Sequence, residues 1–102
     1  MSSPTQRTLK WLRDAGYTCA ITEHWNSFTR QRKDLFGFVD VLAVKRGETI
    51  GVQTTSASNV SARVKKIAEH ENTPRLREAG WRILVVGWVK GKRGEPRVVD
   101  CS

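Results

Sequence analysis

Apolar positions recur at helical spacing in two segments of this chain. Leu9 and Leu12 lie three residues apart and are followed by Gly16, a pattern that predicts a first helix over about residues 5–15. A longer apolar stripe predicts a second helix, and it consists of Val60, Val64, Ile67 and Ala68. The other side of that helix is predicted to be exposed and basic, with Arg63, Lys66 and His70.

Runs of β-branched, aromatic and aliphatic residues predict strands in the rest of the chain. These runs are residues 17–25, 37–44, 49–56, 81–89 and 97–102. The polar and basic residues 26–36 predict an irregular loop instead. The resulting order, α-β-β-β-α-β with a final edge strand, predicts an α/β domain in which helices flank a central mixed sheet.

The length of 102 residues fits one small domain, with a core over about residues 5–90 and a basic hairpin over residues 90–102. No apolar run approaches the roughly 20 residues that span a bilayer, and the first residues lack the apolar centre of a secretory signal. We therefore expect a soluble cytoplasmic protein without a membrane partner. Cys19 and Cys101 are expected to be reduced thiols.

The chain carries 18 Lys and Arg residues against 10 Asp and Glu residues, which gives a net charge of +8. Such an excess favours a polyanionic partner, most often nucleic acid, because cations attract phosphate groups and release their counterions. Improved solubility would be the other explanation. The clusters of cations are Arg30, Arg32 and Lys33; Arg63, Lys65 and Lys66; Arg75 and Arg77; and Lys90, Lys92 and Arg93. Trp25, beside the first cluster, would either stack on a base or belong to the core.

Asp40 is the one carboxylate in the otherwise apolar segment 37–44. Burial of a lone charge costs several kcal/mol unless the charge is paired. A metal ion such as Mg²⁺ could bind it, because this ion prefers carboxylate, carbonyl and water oxygens. A basic side chain of the following helix could pair with it instead, or the carboxylate could cap backbone amides at the mouth of the strand.

The short connection between the second and third predicted strands determines which residues lie near Asp40. With a two-residue turn at 47–48, Asp40 lies opposite Thr55. Opposed and alternate residues share a face of the sheet, so Gln53 lies on the same face. Asp40, Gln53 and Thr55 are therefore predicted to meet at one end of this hairpin, provided that the turn is not displaced by one residue.

The first helix, the three-strand meander, the acid on the second strand and "VQTTS" on the third together resemble the PD-(D/E)XK nuclease superfamily. In size and element order the chain is most similar to small Holliday junction resolvases and VRR-NUC-type nucleases. The resemblance covers about residues 5–90 and implies a restriction-endonuclease-like αβββαβ core. It also implies hydrolysis of DNA phosphodiesters with Mg²⁺ or Mn²⁺, with Asp40 matching the metal-binding acid. Relatives that resolve junctions act as dimers, which makes a homodimer plausible by analogy.

The third strand departs from the family pattern, in which an acid and a lysine lie two positions apart. Gln53 takes the place of the acid and Thr55 that of the lysine; in a second alignment these places fall to Gly51 and Gln53. The resemblance implies that Asp40 and Gln53 hold the metal and that Thr55 belongs to the catalytic site. The missing positive charge would come from the next helix, where the candidates are Arg63, Lys65 and Lys66, with Lys65 assigned to catalysis.

The remaining implied roles concern nucleic-acid binding and further acids. The residues assigned to nucleic-acid binding are Arg30, Arg32, Lys33, Arg63, Lys66 and Trp25. Glu23 and Asp34 either join the metal site or are solvated surface acids. Gln6 lies near the place of a glutamate that many relatives carry on the first helix.

Two main hypotheses for the function follow from these residues. The first is a DNA-binding endonuclease or junction resolvase-like enzyme that uses Mg²⁺ or Mn²⁺, with DNA a more favoured substrate than RNA. The alternative is a catalytically degenerate protein of the same fold that binds nucleic acid or a nucleoprotein partner without cleavage. A small adaptor protein, whose charge serves solubility, is a third interpretation.

Overall fold

A mixed five-stranded sheet is the centre of the protein. The computed structural model describes residues 3–91 and 94–102. In chain order the elements are α1 (Pro4–Asp14), β1 (Thr18–Ile21), β2 (His24–Asn26), β3 (Gln31–Lys33), β4 (Val41–Lys45), β5 (Glu48–Ser56), a 3₁₀ helix (Ala57–Asn59), α2 (Val60–Glu69), α3 (Thr73–Glu78), β6 (Arg82–Trp88) and β7 (Arg97–Asp100). The sheet has the order β1-β4-β5-β6-β7, with β5 and β6 parallel and the other neighbours antiparallel. A separate two-stranded sheet consists of β2 and β3.

Helices cover both faces of the main sheet. Leu9 and Leu12 of α1 pack on one face, against side chains of β4, β5 and β6. Ile67 of α2 and Leu76 of α3 pack on the other face, together with Phe38. The predicted fold class, a single α/β domain with a mixed sheet flanked by helices, is thus confirmed. Within the described residues, no helix has the length and apolar character needed to cross a membrane.

A buried hydrogen-bond network links α1 to the sheet. Thr8 Oγ1 accepts a hydrogen bond from Trp88 Nε1 at 2.8 Å and shares a second with Thr54 Oγ1, also at 2.8 Å. Thr8→Val keeps the shape of the side chain but leaves both partners unpaired, so we expect it to lower the free energy of unfolding by about 2–3 kcal/mol. Urea denaturation measures the change. Thr18→Val, at an exposed residue of β1, is the control, and a loss as large as that of Thr8→Val would contradict the prediction.

The connection between β4 and β5 differs by one residue from the expected turn. It consists of Arg46 and Gly47, and Glu48 already belongs to β5. Gly47 adopts a φ of +77°, a conformation that glycine takes without steric strain. Glu48 stays in the strand, where its carboxylate accepts hydrogen bonds from Tyr17 Oη at 3.0 Å and from Arg82 Nη1 at 2.9 Å.

The displaced turn changes the partner of Asp40 but not its face. The register begins with Val41, which pairs with Val52, and the side chain of Asp40 accepts a hydrogen bond from Gln53 Nε2 at 2.6 Å, so Asp40 lies beside Gln53 rather than opposite Thr55. Moving a two-residue turn by one position shifts the pairing by two residues, and a shift of two preserves the faces of the sheet. Of the predicted meeting of Asp40, Gln53 and Thr55, the contact between Asp40 and Gln53 is present, whereas Thr55 lies outside the cavity that these two residues line.

Residues 24–33 form a β-hairpin where the sequence predicted the end of one strand and an irregular loop. The first strand of the main sheet ends at Ile21, and Trp25 of β2 pairs with Arg32 of β3 in the separate sheet. Both strands of this hairpin are largely exposed. An exposed hairpin has no apolar face, so the alternation of apolar and polar residues that identifies half-buried strands is missing from its sequence.

The strand that carries the central acid begins later than predicted, at Val41 instead of Gly37. Phe36 and Gly37 adopt positive φ angles of +54° and +90°, and the chain turns around them. Asp40 therefore lies immediately before β4, and its backbone N still donates to Val52 O at 2.9 Å. The acid is at the mouth of the strand and not within it.

The first helix, predicted over about residues 5–15, agrees with Pro4–Asp14. Cys19 and Cys101 are free and half-buried, as expected for reduced thiols. Lys92 and Arg93, which belong to the last predicted basic cluster, lie outside the described residues.

Candidate metal centre

Three carboxylates converge at the end of the main sheet where β4 begins. Glu23 lies in the link between β1 and β2, Asp34 follows β3, and Asp40 precedes β4. One carboxylate oxygen of each residue lies within 4.8 Å of those of the other two. Like charges at this spacing repel each other, so the cluster favours a bound cation or shared protons.

Asp40 is the most buried of the three acids, with 4% of its surface exposed. Its Oδ2 accepts hydrogen bonds from Gln53 Nε2 at 2.6 Å and from the backbone N of Thr54 at 3.0 Å. These two bonds hold the side chain against β5. Asp40 thus caps a backbone amide, one of the roles left open by the sequence, and still faces the other two acids.

The surroundings of Asp40 raise the pKa of its carboxyl group from 3.8 to about 7. Burial is the largest cause, because loss of water disfavours the charged form. The backbone hydrogen bond from Thr54 opposes this shift, while the nearby carboxyl groups of Asp34 and Glu23 increase it. Without a cation beside it, Asp40 therefore keeps its proton up to nearly neutral pH.

Gln53 has an unused hydrogen-bond acceptor. Its side chain is buried, its Nε2 donates to Asp40, and its Oε1 has no hydrogen-bond partner among the described residues. An unpaired buried carbonyl costs roughly 1–3 kcal/mol, so such an atom calls for a specific explanation. A half-turn of the amide group, which now presents its nitrogen to Asp40, would bring this oxygen to a cation held by the acids.

These side chains together could hold a metal ion. Hard divalent cations bind carboxylate and carbonyl oxygens at about 2.0–2.6 Å, so two donors on one ion lie within about 5 Å of each other. The mutual distances of up to 4.8 Å among the three carboxylate oxygens meet that condition. The amide oxygen of Gln53 is a further donor of the same chemical type.

The acids line an open cavity of about 500 Å³. Two arginines also line it: Arg63 of α2, and Arg32 of β3, whose Nη1 lies 3.7 Å from Glu23 Oε2. The first turn of α1 forms another wall, with Ser3, Pro4, Thr5 and Gln6. The helix begins there because Ser3 Oγ accepts a hydrogen bond from Gln6 N at 3.2 Å. The cavity thus combines acids that suit a cation with arginines that suit an anion.

Some of the residues predicted from the sequence meet at this cavity and others do not. Those that line it are Asp40, Gln53, Arg32, Arg63, Glu23, Asp34 and Gln6. Those outside the lining are Thr55, Lys65 and Lys66, together with Trp25, Arg30 and Lys33 on the β2–β3 hairpin. Thr55 is buried and pairs with Gly87 of β6, whereas both lysines are exposed on α2.

Arg63 was expected on the exposed face of α2, but it is half-buried. It lies three residues after Val60 and four before Ile67, which are both fully buried. Residues three or four apart share a face of a helix, so Arg63 borders the apolar stripe. Helical spacing therefore contains the signal that distinguishes Arg63 from Lys65 and Lys66.

Glu23 and Asp34 were open to two interpretations in the sequence, and the structure brings them together with Asp40. They lie at the two ends of the hairpin 24–33, one directly before β2 and the other directly after β3. A hairpin brings its two ends close together, so a correct prediction of this hairpin from the sequence would also have placed Glu23 and Asp34 side by side.

A comparison of the chain with models of known protein families finds no match, and a comparison with curated proteins finds none either. The resemblance to PD-(D/E)XK nucleases therefore depends on element order and on a few residues, chiefly Asp40 and Gln53.

Proposed function

We propose that the protein is a metal-dependent nuclease that hydrolyses phosphodiester bonds in DNA. The observation that carries this proposal is the convergence of three carboxylates and two arginines on one open cavity. Clustered carboxylates bind divalent cations such as Mg²⁺ or Mn²⁺, and arginines bind phosphate oxygens. The net charge of +8 would attract a polyanion to this surface.

Each group of the cavity has a role in this proposal. Asp40, Glu23 and Asp34 would hold the cation, with the amide oxygen of Gln53 as a further ligand. A cation bound there supplies Lewis-acid stabilisation of negative charge on the phosphoryl oxygens. Arg63 binds the same phosphate and stabilises the charge that develops on it.

The resemblance to the PD-(D/E)XK superfamily supports the same proposal. The element order contains αβββαβ with an added hairpin, and Asp40 at the start of β4 lies beside Gln53 of β5. The lysine of the family pattern is missing from β5. Arg63, which reaches the cavity from α2, would supply the positive charge in its place.

DNA cleavage in the presence of Mg²⁺ or Mn²⁺ tests this proposal. Supercoiled plasmid, linear duplex, single strands and branched DNA serve as substrates, and the same reactions with a chelator serve as blanks. We expect the wild type to cleave at least one of these forms, and Asp40→Ala to lose at least about 100-fold in rate. Asp14→Ala is the matched control, because Asp14 is an exposed acid paired with Lys10 on the surface of α1.

Equal cleavage by the wild type and Asp40→Ala, or none by the wild type on any form, would contradict the proposal. Binding of DNA without cleavage would instead favour the alternative function, a nucleic-acid-binding protein of the same fold. The missing lysine on β5 is the feature that raises this alternative.

A further inference from the structure

The β2–β3 hairpin is separate from the main sheet and has an unusual surface. Its residues, 24–33, include Arg30, Arg32 and Lys33 but no acid. Trp25 is 57% exposed, and Phe28, in the turn, is 97% exposed. Large aromatic side chains beside cations on an exposed hairpin are typical of a surface that binds another molecule.

The base of this hairpin is part of the acidic cluster. Glu23 directly precedes β2 and Asp34 directly follows β3, and both approach Asp40. The hairpin therefore projects from the candidate metal centre itself. A ligand that lies in the cavity would also reach the hairpin.

Trp25 lies on the same face of the hairpin as Arg32, a residue that lines the cavity. It pairs directly with Arg32, and directly opposed residues of two antiparallel strands share a face. Arg32 lines the cavity and approaches Glu23. Trp25 therefore extends from the same face of the hairpin as Arg32, beside the cavity but outside its lining.

The turn of the hairpin presents Phe28 outward. Asn26 Oδ1 accepts hydrogen bonds from the backbone N of Phe28 at 2.9 Å and from that of Thr29 at 3.2 Å. An asparagine that bonds to the amides of the following residues stabilises a tight turn. The exposed ring is thus attached to an organised turn.

We propose that this hairpin binds unpaired bases of the nucleic acid whose phosphate lies in the cavity. Trp25 and Phe28 stack on bases, and Arg32 contacts the backbone between them and the metal centre. The inference rests on the proposed function and narrows its substrate class to single-stranded nucleic acid or to duplexes with unpaired segments. It adds Phe28 to the binding residues, a side chain that the sequence did not single out.

Base stacking distinguishes unpaired from paired substrates. The faces of bases inside a duplex are covered by their neighbours, so an aromatic side chain reaches them only where the stack is broken. The cations of the hairpin, by contrast, contact phosphates of either form. A membrane surface would also accept aromatic and basic side chains, but it would not use the acidic cavity at the base of the hairpin.

Binding of a fluorescently labelled oligonucleotide, measured by anisotropy in the presence of a chelator, tests the inference without cleavage. The probes are one single strand and the same strand in a blunt duplex. We expect the wild type to prefer the single strand, and Trp25→Ala and Phe28→Ala each to weaken single-strand binding about tenfold but duplex binding less than about twofold. Trp25→Phe keeps an aromatic face, so it should retain most of the affinity.

Arg32→Ala should weaken binding to both probes. It should also reduce the slope of the logarithm of the binding constant against the logarithm of salt concentration by about one. Arg13→Ala is the charge-matched control, because Arg13 is exposed in the last turn of α1 while the first turn lines the cavity. Val98→Ala is the control for an exposed apolar side chain, 41% exposed on β7. Both controls should change single-strand binding less than about twofold.

Equal affinity for the two probes, or equal losses on both in the aromatic variants, would overturn the inference. The inference would also be overturned if the protein did not bind the single strand but did bind vesicles of anionic lipid, and if Phe28→Ala abolished that binding. If the wild type cleaves DNA but the aromatic variants bind normally, the inference fails and the proposed nuclease stands. If the hairpin binds as expected but no substrate is cleaved, the nuclease proposal fails alone.

Discussion

Asp40→Asn should stabilise the metal-free protein at pH 8 and remove its response to divalent cations. The asparagine oxygen can accept the two hydrogen bonds that now come from Gln53 and the backbone N of Thr54. Its amide can donate to the carboxylate of Asp34. The substitution therefore keeps the contacts of the side chain while it removes a buried negative charge and a metal ligand.

The raised pKa of Asp40 determines how the free energy of unfolding changes with pH. The folded protein has a pKa of about 7 at this group, against about 3.8 when it is unfolded, so between these values the folded state binds more protons. The free energy of unfolding of the wild type should therefore fall as pH rises from about 4 to 7. One pKa unit corresponds to about 1.4 kcal/mol, so a pKa raised from 3.8 to about 7 corresponds to a loss of at most about 4 kcal/mol.

Thermal unfolding in a chelator at pH 5 and pH 8 measures this difference. Asp40→Asn should melt about 10 °C above the wild type at pH 8 and close to it at pH 5. Addition of Mn²⁺ at pH 8 should raise the melting temperature of the wild type and leave that of Asp40→Asn unchanged. Asp14→Asn should behave as the wild type. A variant less stable than the wild type in the chelator would show that the Asp40 carboxylate stabilises the metal-free fold.

Arg63→Ala should reduce the rate of DNA cleavage by about 10²–10³-fold, while Lys65→Ala changes it less than about threefold. Removal of a single charge-stabilising contact at a reacting centre typically lowers the rate by about 10²–10³-fold. Arg63 lines the cavity, whereas Lys65 is exposed on α2 outside it. Both substitutions remove one positive charge two positions apart on the same helix, so each is the control for the other.

Single-turnover cleavage at saturating enzyme separates this effect from weaker binding. Arg63→Lys should recover part of the rate, since it restores the charge but not the two-pronged geometry of the guanidinium group. The opposite ranking, with Lys65→Ala the slower enzyme, would support the role that the sequence gave to Lys65. If Arg63→Ala and Lys65→Ala both had equally small effects, neither residue would be the positively charged side chain that the proposed mechanism requires.

The sequence predicts the architecture well because burial leaves periodic patterns. The stripe that contains Val60 and Ile67 predicted α2, and the apolar runs predicted the strands of the main sheet. The shared face of Asp40 and Gln53 also survived an error in the turn, because moving the turn by one residue preserves the faces. Patterns of this kind depend on local geometry and need no knowledge of the tertiary fold.

The candidate site was harder to predict for a physical reason. Its acids Glu23 and Asp34 meet only because residues 24–33 pair as a hairpin, and an exposed hairpin carries no apolar periodicity. Arg63 was one of three candidates for the missing positive charge, but the catalytic role was assigned to Lys65, although the spacing of Arg63 from Val60 places it beside the buried stripe of α2. Which charged side chains of a helix enter a cavity depends on how the helix packs, and that is a tertiary property.

The oxygen donors proposed for the cation all lie within residues 23–53 of the chain. Glu23, Asp34 and Asp40 belong to the segment between β1 and β4, and Gln53 lies on the next strand of the main sheet. By contrast, the parallel pairing of β5 with β6 must first enclose α2 and α3. Contacts between residues close in sequence require less loop-closure entropy and form sooner. We therefore expect a chain that emerges from the ribosome to assemble its cation ligands before its last two strands are made, with Arg63 joining them afterwards.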